Sequence, residues 1–503
     1  MRDTFDMSRA KSSEWYAICF IVGLTAARLV WHLFQPIGMA GDETYYWLWG
    51  QYPDWGYFSK PPMIGWLYGA MTEVLGQSVF IYKGFAALLG AGTLWFFYRI
   101  VVLMTGRDEL ALWGLLAFGL MPANLLQASI LTIDAPLMFF WAGGMFFTAR
   151  LLIADSVRST DYLGLWVMLA MGHLSKQMML VQLALIPLVL LLYRRELFRD
   201  IRLWLALLGS LLALVPPLVW NSQNEWITLA HTAHHFNPSS PALAKSLSRL
   251  AELWGALAGL VSPILFALFF PALRTVWAQR KERAMVFFFI FGGAAMIVMS
   301  AMAFRQRVNP NWPAVFLLGS LGMILVWASS AETRMCWLKR GTKLGAILSA
   351  CLMIFLLFLE PLSQPLADIG IKPQRRGWQG YPQLVEQVAS LPDGADQLMF
   401  VGHRFAASHF AFYGADPKRV HLWYEDPTVI HNQFYFFDQP EVGKPILIVV
   451  ERKRERDEGV IPKKLQAMLL GVELLDEFQM HPARDFPRFQ VYRADQLLAW
   501  HRD

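Results

Sequence analysis

The residues best suited to chemistry lie in a polar stretch after the first apolar run. It reads Gly41-Asp42-Glu43-Thr44-Tyr45-Tyr46-Trp47 and then Tyr52-Pro53-Asp54-Trp55-Gly56-Tyr57-Phe58-Ser59-Lys60-Pro61-Pro62. A carboxylate within hydrogen-bond reach can take the proton from a sugar hydroxyl or similar acceptor, which makes Asp42 a candidate general base. Glu43 completes the acidic pair. Lys60, in a turn stiffened by Pro61 and Pro62, is a cation suited to a phosphate. Tyr45, Tyr46 and Tyr57 are candidate substrate contacts. Each has a plainer alternative. Asp42-Glu43 can cap a helix, Lys60 can snorkel to headgroups, and Trp47, Trp49, Trp55 and Tyr57 can form an interfacial belt.

Three further positions carry unusual polar residues at the ends of apolar runs. Asp134 sits in Leu131-Thr132-Ile133-Asp134-Ala135-Pro136, a sequence that also suits a helix start. Lys176 follows His173-Leu174-Ser175 between two apolar runs. Arg305 and Arg307 precede Asn309-Pro310-Asn311-Trp312-Pro313. Lys176, Arg305 and Arg307 join Lys60 as candidate phosphate ligands, although lipid headgroups alone would also satisfy the arginines. His231 and His235 are four apart, but the segment lacks the glutamate of a His-Glu-x-x-His zinc motif. They read as residues of an interfacial helix with His234. No cofactor is required by this set, and a divalent metal stays open.

The elements that must position these residues follow from composition. The chain has 503 residues, 56% hydrophobic, 14% aromatic and only 16% charged, where soluble domains carry about 25% charged residues. Residues 1–360 hold 27 Lys/Arg and 19 Asp/Glu, while residues 361–503 hold 17 and 19. The formal charge of +6 therefore resides in the apolar part and is no nucleic-acid signal. A bilayer core needs about 20 apolar residues per helix. Apolar runs occur near 15–34, 79–104, 110–130, 135–153, 162–173, 177–193, 203–220, 250–273, 284–304, 312–329 and 344–360, that at 162–173 being short and separated from the next only by His173 to Lys176. The fold class expected is an all-α polytopic membrane domain of about 11 transmembrane helices (1–360) followed by a small soluble α/β domain (361–503).

Basic residues favour the cytoplasmic side of a membrane protein. With the N-terminus cytoplasmic, the inner segments carry 19 Lys/Arg and the outer ones seven. This orientation puts 361–503 in the periplasm of an inner-membrane protein and all the candidate site residues on the outer face. In the tail, 397–401, 420–423, 445–451 and 488–492 read as strands and 404–413 and 463–470 as helices. Cys19, Cys336 and Cys351 show no metal or redox spacing.

In their order along the chain, the Asp-Glu pair, Lys-Pro-Pro, Thr-x-Asp-x-Pro, Leu-Ser-Lys and Asn-Pro-Asn-Trp-Pro elements resemble the C-type superfamily of membrane glycosyltransferases. The resemblance is to the bacterial branch akin to protein O-mannosyltransferases and the lipid A aminoarabinose transferase. It extends more loosely to Phe405–Tyr413 and Asn432-Gln433-Phe434 in the tail. It implies a sugar donor on a polyprenyl phosphate and an acceptor in the envelope: lipid A, another glycan or protein. It also implies Asp42 as catalytic base with Glu43 beside it, and Lys60 near the donor phosphate. Asp134 matches the acid of the second outer loop and Lys176 the lysine opening the sixth span. Two positions depart from the aminoarabinose branch: Tyr45 stands where it has Arg, and Ser59 where it has Glu. The expected function is an inverting glycosyltransferase. The alternative, a transporter or lipid-linked sugar flippase, would bring internal repeats and polar residues at mid-span. Among the polar residues in the runs, Arg28 is the clearest that fits it.

Overall fold

Backbone groups cannot be left open in hydrocarbon, so long apolar runs fold as helices. The computed structural model describes residues 2–34, 37–235, 242–369, 380–391, 396–414, 416–426, 429–452, 461–479 and 488–500. All eleven apolar runs are helical over most of their length. Among the described residues, six helices are long and apolar enough to cross a bilayer alone: Ser12–Phe34, Val79–Thr105, Asp134–Ile153, Ile201–Gln223, Arg283–Arg305 and Glu332–Leu357. A seventh crossing is made if Leu243–Val261 and Pro263–Thr275, bent by 112°, count as one. The bend falls at Ser262, whose φ of 121° lies in the left-handed region and whose hydroxyl accepts from the Leu265 N–H. Two further apolar helices, Gln177–Tyr193 and Phe316–Ala328, are shorter.

The chain divides into two compact units. The first comprises 1–34, 60–63 and 80–354. At its centre is the Phe316–Ala328 helix, every residue of which is buried. A helix apolar all round needs neighbours on every side. Here Gly319 lets the backbone at Phe291 and Gly292 come so close that an added Cβ would lie 2.5 Å from it. A π-turn at Phe289–Gly293 marks the same crossing.

The second unit comprises 35–59, 64–79 and 355–503, so it joins the first polar stretch to the C-terminal segment. It contains a five-stranded sheet of β1 (Leu398–Val401), β2 (Val420–Leu422), β3 (Ile446–Arg452), β4 (Leu469–Gln479) and β5 (Arg488–Leu497), in the order β2-β1-β3-β5-β4. The β1–β2 and β1–β3 pairs are parallel, and β3–β5 and β4–β5 antiparallel. Ile446–Val450 of β3 are all buried, as a central strand covered on both faces requires. The small α/β domain expected from the tail is therefore present, with two differences. The helix expected over 463–470 ends at Gln466, because Leu469 and Leu470 pair with Leu497 and Gln496 of β5. The second is an unexpected helix, Tyr381–Ala389, which packs its Tyr381 ring 4.0 Å from that of His409.

Candidate active site

The Gly41–Gln51 helix begins with Asp42 and Glu43 in its first turn, where carboxylates complement the helix dipole. The two then part company. Glu43 is fully buried, and its Oε2 accepts the Ala40 N–H at 2.8 Å. Asp42 is exposed. The capping alternative raised by the sequence is thus met by Glu43. Every residue from Glu43 to Gly50 is buried, so the helix is held in the second unit all round.

What holds it is the C-terminal segment. Thr44 Oγ1 lies 2.9 Å from Ser408 Oγ. The N–H of Met39 donates to Tyr413 at 3.1 Å, and its carbonyl lies 3.1 Å from His409 Nε2. The Gln433 N–H donates to the Tyr45 hydroxyl, while its Oε1 accepts the Phe58 N–H, each at 2.6 Å. The Asn432-Gln433-Phe434 element thereby staples both ends of the first polar stretch. Gly41 is small because Phe405 packs on it: an added Cβ would sit 2.8 Å from Phe405 Cβ. Gly41→Val should therefore push the Arg404–Tyr413 helix away and destabilise the unit by about 1–3 kcal/mol. Thermal unfolding in detergent measures this, and an unchanged midpoint would show that the contact yields freely.

The three candidate tyrosines are buried. Tyr57 donates to the Trp49 carbonyl at 3.0 Å and stacks on the Trp49 ring at 4.7 Å. Tyr46 packs edge-on against Trp49. Burial pushes the pKa of Tyr45 up to about 12, so its hydroxyl stays neutral at physiological pH and serves as a hydrogen-bonding anchor.

The first unit holds the remaining candidates. Asp134 opens its helix without capping it. Its Oδ1 accepts from Lys176 Nζ at 2.6 Å and its Oδ2 from Asn311 Nδ2 at 2.9 Å. Only 14% of the Asp134 side chain and 11% of that of Lys176 are exposed. Three motifs far apart along the chain, Thr-x-Asp-x-Pro, Leu-Ser-Lys and Asn-Pro-Asn-Trp-Pro, thus meet at one carboxylate. Asn311 was not among the expected site residues; its place in the third motif was the available signal. Arg305 and Arg307 are exposed. The Arg305 carbonyl accepts from Arg249 at 2.8 Å, and Arg307 lies 4.0 Å from Glu252. Lys60 is partly buried. His231 lies on the Ile227–His235 helix; the side chains of His234 and His235 fall outside the described residues. Among the described residues, no group of three or more His, Cys, Asp or Glu is arranged to hold a metal ion.

Residues 59–220 match a family described as dolichyl-phosphate-mannose-protein mannosyltransferase. The lipid A galacturonosyltransferase RgtD of Rhizobium johnstonii is 27% identical over 316 residues, 62% of this chain and 64% of that protein. The chain thus spans just under two thirds of that relative's length. ArnT from Cupriavidus metallidurans shares the fold, with a TM-score of 0.62 at 17% identity, covering 97% of this chain and all of that one. The same protein bound to undecaprenyl phosphate gives 0.60 at 16% identity, over 96% of this chain and 99% of that one. Together these matches bear out the resemblance carried by the motifs.

Proposed function

We propose that this chain, akin in family and fold to the C-type membrane glycosyltransferases, is an inverting glycosyltransferase. It moves a sugar from a polyprenyl-phosphate donor to an acceptor in the bacterial envelope, with a lipid A-type acceptor favoured by the RgtD match. The observation that carries this reading is the separation of the acidic pair: Glu43 is used up in capping, and Asp42 is left exposed on a rigid, buried helix. A base held on a fixed element needs no reorganisation to meet an acceptor hydroxyl.

In this mechanism Asp42 takes the acceptor's proton as its oxygen attacks the anomeric carbon from the face opposite the leaving group. Configuration at that carbon inverts, and the bond to the lipid phosphate breaks. Lys60, Lys176, Arg305 and Arg307 offset the negative charge that grows on the departing phosphate. Asp134 orients Lys176, and Tyr45, Tyr46 and Tyr57 shape the wall that carries Asp42. The cycle derived from these residues includes no metal-dependent step. The accompanying topology has eleven crossings of the inner membrane, a cytoplasmic N-terminus and a periplasmic 361–503 domain. Its support is the 19-to-7 bias of basic residues and the helical state of all eleven apolar runs.

The test is mass spectrometry of envelope lipids and glycans from a strain lacking the protein, beside one carrying Asp42→Ala. The expected result is loss of the same sugar-sized mass from both. Unchanged envelope glycans, with accumulation of a solute against a gradient in proteoliposomes, would replace the transferase by the transporter.

A further inference from the structure

Arg404 is a cation in the compact unit that also holds Asp42, and no role has yet been given to it. It is the first residue of the Arg404–Tyr413 helix and belongs to the same compact unit as Asp42. Its guanidinium carbon lies 5.5 Å from the centre of the Tyr45 ring and 5.1 Å from that of Phe405. Its Nε is buried and has no hydrogen-bond partner among the described residues.

Its place relative to Asp42 follows from two contacts. Phe405, the next residue, packs on Gly41, the residue before Asp42. Tyr45, under the guanidinium, is three residues after Asp42 on one helix, so the two share a face. The Tyr45 hydroxyl feels the charges of both Arg404 and Asp42. A guanidinium within cation–π distance of aromatic rings is held in place by them and keeps N–H groups for a second partner. A planar fork held this way is pre-organised for two parallel hydrogen bonds to a carboxylate or phosphate. Tyr45 itself brings no charge to that face, and Arg404 brings a positive one.

We propose that Arg404 is an oxyanion-binding residue of the substrate site, holding a carboxylate on the transferred sugar or a phosphate on the acceptor beside Asp42. This rests on the transferase reading and adds the substrate class to it: one of the two reactants carries an anionic group besides the donor phosphate. Arg404 takes no part in the proton transfer and selects which substrate reaches Asp42.

The full-length protein in lipid nanodiscs is assayed with undecaprenyl-phosphate galacturonate against undecaprenyl-phosphate galactose, each with lipid A that keeps or lacks its phosphates. Arg404→Ala should raise KM about tenfold or more for the anionic partner, the scale of a lost charge-assisted bidentate contact. The neutral counterpart should stay within about twofold of wild type. Arg404→Lys should recover part of the loss, since it keeps charge without the fork. An effect that follows the donor assigns the sugar carboxylate; one that follows the acceptor assigns its phosphate. Equal loss with charged and neutral substrates would make Arg404 a packing residue and overturn the proposal, as would wild-type kinetics in Arg404→Ala. Either result leaves the transferase reading standing. A wild-type protein that transfers no sugar from any lipid-linked donor takes down both.

Discussion

Asp42→Asn should leave the protein folded and lower kcat for sugar transfer by about 10²–10⁴-fold, the usual contribution of a positioned base. The substitution is nearly isosteric. The neighbouring cap is supplied by Glu43, whose Oε2 receives the Ala40 N–H at 2.8 Å, so the helix start does not depend on the Asp42 side chain. Asp42 is exposed, and exposed polar substitutions usually move stability by no more than about 0.5 kcal/mol. Loss of turnover with an unchanged unfolding midpoint and unchanged donor KM is therefore the expected signature. Glu43→Ala should do the reverse. It removes a cap from a buried helix and costs about 0.5–2 kcal/mol of stability, with activity falling only as the folded fraction falls. An Asp42→Asn protein that transfers sugar at the normal rate would remove Asp42 from the mechanism.

The second large effect is expected at the Asp134–Lys176 pair. With both side chains largely buried and 2.6 Å apart, the pair has already lost most of its hydration, so each charge relies on the other. Lys176→Met leaves the Asp134 carboxylate with the Asn311 amide as its remaining described neutral partner. The expected cost is about 3–5 kcal/mol, because an uncompensated buried charge is the expensive state. Asp134→Asn strands Lys176 in the same way. Combining Lys176→Met with Asp134→Asn removes both charges and should cost less than the two single changes together. Denaturation of all four proteins in one detergent gives the coupling free energy. A coupling near zero would mean that the contact adds nothing to stability and that its motifs meet for another reason. The double variant should also show a raised donor KM, since Lys176 is one of the proposed phosphate cations.

Much of the architecture was legible because its causes are local. Apolar runs of about 20 residues have few alternatives to a helix in a bilayer; the eleven runs are helical over most of their length, and among the described residues six helices, or seven with the bent pair, are long and apolar enough to cross. Strands β1, β2 and β3 fall where apolar, β-branched stretches predict them. The failures have non-local causes. Leu469–Gln479, with its Leu and Glu residues, has no strong strand character of its own, and becomes β4 by pairing with β5. Arg404 carries no signal in its neighbours, because what defines its setting is Tyr45, far away in the sequence and adjacent in the fold.

The sequence by itself determined that the chain is built around membrane helices, where those helices lie, and which polar residues are out of place among them. Only the tertiary structure decided where each polar residue sits and what it touches. It turned Glu43 inward and Asp42 outward, although the two are neighbours of one chemical type. It also joined Asp134, Lys176 and Asn311 at one carboxylate. The physical reason is that successive helix residues point about 100° apart. Which of them is buried depends on the surface that another part of the chain lays against that helix.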